Sequence, residues 1–119
     1  MSCENNLVNT VVKAIDKKMG KDIQVLDLHE LTTLTGYFVI ATGGSNKNVQ
    51  AICDHVEEEM QKEGAKLWNK EGYDSAEWIL LRYDDMIVHI FQSEPREFYK
   101  LEHIWKDAPD VDIDDLLTE

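Results

Sequence analysis

A chain of 119 residues, 43% of them apolar, has material for one ordinary domain that buries roughly two thirds of its unfolded surface around a single core. Its 24 acidic and 12 basic side chains leave a formal charge of -12, a field that repels phosphate backbones and so excludes direct DNA binding and all but slight RNA contact. The same field speeds encounter with a basic protein.

The opening stretch MSCENNLVNT lacks the basic region and apolar run of an export signal, and nowhere do the roughly 18 apolar residues of a membrane helix run together. Cys3 and Cys53 form no CxxC pair and match no histidine spacing, which fits a reducing cytoplasm and argues against a zinc site. From Asn6 to Met19, Leu7, Val8, Val11, Val12, Ile15 and Met19 recur at three- and four-residue steps. That is the period of a one-sided helix, and Gly20 stands where a left-handed cap would close it. DIQVLDLHEL alternates loosely through Ile23, Val25, Leu26 and Leu28 and reads as a strand ending near His29. YFVIAT, Tyr37 to Thr42, is apolar at five consecutive positions, as a central strand covered on both faces would be. Gly43 and Gly44 allow a sharp turn. Ser45 then caps a helix with Val49, Ile52, Cys53, Val56 and Met60 on its apolar face, and Gly64 stops it.

AKLWN is a short candidate strand, and KEG and YDS mark a turn. AEWILLRY and MIVHIFQ are two strands joined at Asp84-Asp85 in a tight hairpin. Ser93 precedes EPREFYKLEHIW, a closing helix with Pro95 in its first turn and Phe98, Leu101, Ile104 and Trp105 on one face. A single domain therefore spans residues 1–106. Residues 107–119 form an acidic tail whose few apolar groups, Val111, Ile113, Leu116 and Leu117, cannot make a core; it is either disordered or docked on a partner. The element order implies an α/β architecture, a mixed sheet of about five strands flanked by helices.

GYFVIATGGSNKNVQAI has the strand, glycine turn and helix of a nucleotide-binding loop, yet its spacing is neither GxxxxGK followed by Ser or Thr nor GxGxxG. A structural turn capped by Ser45 is the stronger reading. Some nucleotidyl-transfer enzymes pair such a loop with two acids that hold a metal and the triphosphate. Asp84 and Asp85 are the adjacent acids at a strand end here, and strand alternation aims them apart. An enzyme using Ser45 and these aspartates is the alternative function. Asp27 and His29, two apart on a strand, share a face; with no nucleophile beside them, a structural pair outweighs an orienter and base. His89, between apolar residues, is expected as a satisfied core histidine. His55 faces away from Cys53, a poor ligand pair, and His103 falls on the exposed side of its helix.

EGYDSAEWILLRYDD sets Tyr73, Trp78 and Tyr83 among Glu71, Asp74, Glu77, Asp84 and Asp85, aromatic anchors inside an acidic rim. On a strand, Trp78 and Leu80 face one way and Ile79 and Leu81 the other, so both sheet faces carry large apolar groups. Trp78 either lies under a helix or serves a partner, since Trp is enriched in both settings.

YFVIATGGSNKNVQAICDHVEE, EGYDSAEWILLRYDDMIVHIF and REFYKLEHIW together resemble, in order and spacing, the Iojap or ribosomal silencing factor family, from about Val25 to Ala108. The resemblance implies a bacterial factor that is not an enzyme, holds no cofactor or metal, and has an α/β fold similar to nucleotidyltransferases. It implies binding to the ribosomal protein L-fourteen on the large subunit, steric prevention of small-subunit joining, and a homodimer when free. By position, the ribosome-facing surface falls on Glu71, Ser75, Trp78, Leu80, Tyr83, Asp84 and Asp85, with Trp78 as anchor. Two positions depart from the family: Asp84 stands where Gly is usual, and Lys47 where Arg is common. An acidic domain suits a basic ribosomal protein, while repulsion from surrounding RNA narrows where it can sit. A dimeric adaptor for some other basic protein is the third reading.

Overall fold

In the computed structural model, which describes residues 6–117, the first apolar period forms helix α1, Asn6–Lys17, with Val8, Val11, Val12 and Ile15 fully buried. Cys3 lies outside the described residues. Met19 rather than Gly20 takes the left-handed conformation at the helix end, at φ 69°. The Met19 and Gly20 amides donate to the Asp16 and Ile15 carbonyls, the two-bond stop that a left-handed residue permits.

Strand β1, Lys21–Asp27, pairs antiparallel with β2, Tyr37–Thr42. Helix α2, Asn46–Lys62, begins at Ser45, whose Oγ accepts from the Asn48 amide at 3.0 Å, and buries the five residues its period marks: Val49, Ile52, Cys53, Val56 and Met60. Strand β3, Asn69–Glu71, then leads to β4, Trp78–Arg82, and β5, Met86–Phe91. The sheet order is β1-β2-β5-β4-β3, with β2 and β5 parallel and every other pair antiparallel. The expected mixed five-stranded sheet is therefore present. β2 and β5 sit inside it and are almost wholly buried, which is why their sequences are continuously apolar.

One sheet face packs on α1 and α2, through Val25, Val39, Ile79, Leu81 and Val88 among others. The opposite face carries Leu26, Phe38, Ile40, Ile87 and Phe91, and is covered by Leu101, Trp105 and Ala108 from the C-terminal segment.

Three expectations are corrected. The strand after α2 is Asn69–Glu71, not AKLWN: all three of its residues are exposed, and polar residues suit a short edge strand, so its pairing with β4 leaves no apolar signature. The closing helix is two pieces, α3, Ser93–Tyr99, and α4, Leu101–Ile104, broken where Lys100 turns left-handed at φ 49°. Ser93 lies inside α3, with Gln92 at the cap. The break also splits the expected apolar face: Leu101 and Trp105 are half-buried, whereas Phe98 and Ile104 are exposed.

The tail is the third correction. It docks on its own domain as far as it is described. The Asp27 amide donates to the Pro109 carbonyl at 3.0 Å, and the Val111 amide to the Val25 carbonyl at 2.8 Å, so residues 109–111 run along the outer side of β1. Ile113 is then buried in the α1–α2 core, with Val111, Leu116 and Leu117 packed beside it. Ile113→Ala is expected to cost about 2–4 kcal/mol, as core truncations of an isoleucine do. Urea unfolding measures it, and a loss under about 0.5 kcal/mol would show that the tail is not part of the cooperative unit.

Candidate partner-binding face

The β3–β4 ribbon builds the candidate face. Antiparallel pairing sets Glu71 opposite Leu80 and Asn69 opposite Arg82, and directly opposed residues project to the same side. Trp78, Leu80 and Arg82 alternate along β4 on that side, away from α2. The C-terminal pieces lie over β1, β2 and β5 and reach β4 at Trp78 through Tyr99, and Leu80 and Trp78 are half-buried while Glu71 and Arg82 are exposed. The Asn69 Nδ2 donates to Glu71 Oε2 at 2.7 Å and steadies the carboxylate at the rim.

Trp78 packs against the sheet and the C-terminal segment and stays half-buried. Its ring stacks on Phe91 at 4.8 Å and meets Tyr99 at 4.7 Å, and its indole N–H donates to His89 Nδ1 at 3.0 Å. The indole is thus part of the sheet's packing while the residue keeps some exposure to solvent. His89 is only half satisfied: with Nδ1 accepting, the ring proton sits on Nε2, which is buried without a hydrogen-bond partner among the described residues. Burial holds the imidazole neutral, with its pKa pushed down to about 3.

The remaining residues of the sequence-derived set lie elsewhere. Ser75 is exposed in the loop before β4, its hydroxyl donating to the Gly72 carbonyl at 3.4 Å. That loop holds two left-handed residues, Gly72 at φ 81° and Ala76 at φ 58°, immediately beside Trp78. Tyr83 points to the opposite face, is 3% exposed and lies in the core against α1 and α2. Asp84 and Asp85 are exposed at the far end of β4 from Trp78. Neither is left-handed, so Asp at position 84 fits the turn without strain. Asp84 accepts from the Trp68 indole N–H. Asp85 is bound by His29, whose other nitrogen meets Asp27 at 2.7 Å; the Asp85 contact is 3.1 Å. The hydrogen bonds to Asp27 and then Asp85 raise the His29 pKa, and the Asp27–His29 pair recognised from spacing thereby joins the end of β1 to the hairpin. The Asp85 half of this clasp, 56 residues away in sequence, had no local signal.

The glycine loop is internally committed. Asn48 Oδ1 accepts from the Gly44 amide at 2.8 Å, Asn48 Nδ2 donates to the Lys18 carbonyl at 3.0 Å, and the Gly43 amide donates to the Phe91 carbonyl. A methyl group on Gly43 would come within 2.6 Å of Val49 Cγ2, so the residue is small for close packing rather than for turning. The loop follows β2 while Asp85 adjoins its start, where the Asp85 carbonyl accepts from the Tyr37 amide. Six strand residues, about 20 Å, therefore separate Ser45 from the paired aspartates that the enzyme alternative combines. On α2, Cys53, Asp54 and Glu57 form one group with metal-ligand proximity, and His55, Glu58 and Glu59 another. The Cys53 thiol is buried, which pushes its pKa up, and Glu57 already binds Lys70 at 2.9 Å. Among the described residues, no helix is long and apolar enough to cross a membrane.

These features define an acidic α/β domain with a half-open sheet face. The chain belongs to the ribosomal silencing factor family: the family model described as ribosomal silencing factor during starvation matches residues 2–119. A ribosomal silencing factor of Bacillus subtilis is 34% identical over 111 residues, 93% of this chain and 94% of that one. A crystal structure from Chromobacterium violaceum superposes with a TM-score of 0.83 at 32% identity, covering 85% of this chain and 84% of that one. A mouse protein named for mitochondrial assembly of the ribosomal large subunit is 25% identical over 101 residues, 82% of this chain and 44% of its own. These names support a role in translation regulation and association with ribosomes.

Proposed function

We propose that the protein is a non-enzymatic translation repressor of the cytoplasm that binds the basic protein L-fourteen on the large ribosomal subunit and blocks small-subunit joining by occupying space. The observation that carries this reading is the half-open strip of Trp78, Leu80 and Glu71 on an otherwise acidic body. A half-buried tryptophan on a strip that also carries Leu80 and Glu71, in a chain of net charge -12, is the combination of anchor and electrostatic selector that a basic protein surface meets. Occlusion then follows from size alone. A body of 34 × 33 × 31 Å on the joining surface holds two subunits apart without any reacting group. A homodimer when free belongs to the same proposal.

The test is sedimentation with separated ribosomal subunits. The protein is expected with large subunits at low salt, less at high salt, and added in excess it lowers the yield of joined ribosomes. Trp78→Ala should weaken binding about 30-fold, the scale of an interface anchor. Because Trp78 also packs on Phe91, Leu80→Glu, at a half-buried position, serves as a second variant that places a charge on the same strip, with circular dichroism confirming that each variant is folded. Full binding by both folded variants would remove the strip from the interface.

A further inference from the structure

The cleft beside the glycine loop carries the sign opposite to that of a phosphate site. It is about 630 Å³ and lies between the start of α2 and the start of α3. Its polar loop groups are already engaged: the Gly44 amide by Asn48, and Asn46 Oδ1 by Gln92. What the walls leave open among the described residues is two carboxylates, Glu77 and Glu94, the Ser93 hydroxyl and two aromatic rings, Phe98 and Tyr99; no lysine or arginine lines the cleft itself, while Glu97 and Lys100 line the groove that adjoins it at Phe98. Phe98 is 80% exposed and Tyr99 46%, and their rings meet edge to face at 5.1 Å. A phenylalanine this bare beside two carboxylates is poorly placed for a neutral apolar ligand and well placed for a flat cation. Guanidinium stacks on aromatic faces and bonds carboxylates in two-pronged fashion, whereas an ammonium does only part of this.

We infer that this cleft receives an arginine side chain of the basic protein partner. The inference rests on the reading that the protein binds a basic ribosomal protein, and it extends that surface. Tyr99 contacts Trp78 at 4.7 Å, so the cleft and the β4 strip are one continuous region, with Trp78 at their junction. The charge of -12 supplies the complementarity, and the cleft supplies a place where one partner residue is fixed.

The test has two arms. In the first, a Gly-Arg-Gly peptide is titrated to 50 millimolar while NMR follows the Phe98, Tyr99 and Gly44 resonances, with Gly-Lys-Gly and Gly-citrulline-Gly alongside. Shifts confined to these residues, at least threefold larger for arginine than for lysine and absent for citrulline, are expected; Glu77→Gln with Glu94→Gln should abolish them. Equal response to citrulline, or none to arginine, overturns the inference, as does a stronger response to lysine. In the second arm, Phe98→Ala and Glu94→Gln, both at exposed positions, should each weaken sedimentation with large subunits about tenfold. If Leu80→Glu loses subunits while both cleft variants bind as wild type, the cleft inference fails and the subunit-binding reading stands. If the wild type does not bind subunits, that reading fails, and the peptide arm alone decides the chemistry of the cleft.

Discussion

Between pH 7 and pH 5 the protein is expected to lose about 2 kcal/mol of stability through His89 alone. The unfolded chain takes up a proton near pH 6.5, whereas burial holds the folded imidazole neutral down to about 3. A base depressed in this way contributes fully above 6.5 and loses about 1.4 kcal/mol per pH unit as the pH falls toward 3. His29 acts with the opposite sign. Its raised pKa, caused by the bonds to Asp27 and Asp85, gives stability that is complete below 6.5 and is lost as pH rises through the folded value. The His29 side chain is 48% exposed, so solvent screens it and His89 dominates. Acidification also relieves the self-repulsion of a chain at -12, which works against the His89 effect. His89→Leu separates them. It should cost about 1–2 kcal/mol at pH 7, because the Trp78 indole N–H loses its acceptor, yet show a flat or rising stability from pH 6.5 to 5. Urea midpoints across that range give the slope, and an unchanged downward slope in the variant would exonerate His89.

Gly72→Ala should destabilise the fold by about 3 kcal/mol or more. Gly72 sits at φ 81°, which an L side chain resists, and a β-carbon there would fall well inside van der Waals contact of the Trp78 carbonyl oxygen. That oxygen is backbone in the β4 strand and cannot swing away. The same strain is transmitted to the Trp78 strip, so a refolded variant should also bind large subunits more weakly. Thermal unfolding with a parallel sedimentation assay reads both, and a variant with wild-type midpoint would show that the 72–76 loop is not held as described.

Wherever a single element carried its own pattern, the sequence was sufficient. The α2 face from Val49 to Met60, the Ser45 cap and the continuous apolar run of β2 each reflect local periodicity or capping. What escaped depends on partners distant in sequence. Asn69–Glu71 is a strand only because Leu80, Leu81 and Arg82 pair with it, and its exposed residues record no burial. Phe98 shares a helical period with Leu101, but the turn at Lys100 uncouples them, and lysine gives no local warning of a left-handed conformation. The acidic tail looked unable to fold because its apolar residues are few, yet Ile113 needs only the existing α1–α2 core to be buried. Strand alternation separates Trp78 and Leu80 from Ile79 and Leu81 on the two sheet faces, as the packing has them, while Tyr83, one residue beyond β4, turns inward and pairs its amide with the Met86 carbonyl. Proximity in sequence made it look like part of the same surface.

The run of residues 109–111 along β1 has a consequence for how copies of this chain could meet. The amides of Asp27 and Val111 and the carbonyls of Val25 and Pro109 are already satisfied within one molecule. A second copy that sought to extend the sheet at this border would find those groups taken and would have to evict the C-terminal segment, including the buried Ile113, before gaining its first bond. Self-association through this border is thereby coupled to the integrity of the chain's own end, and shortening that end should favour larger assemblies over the single domain.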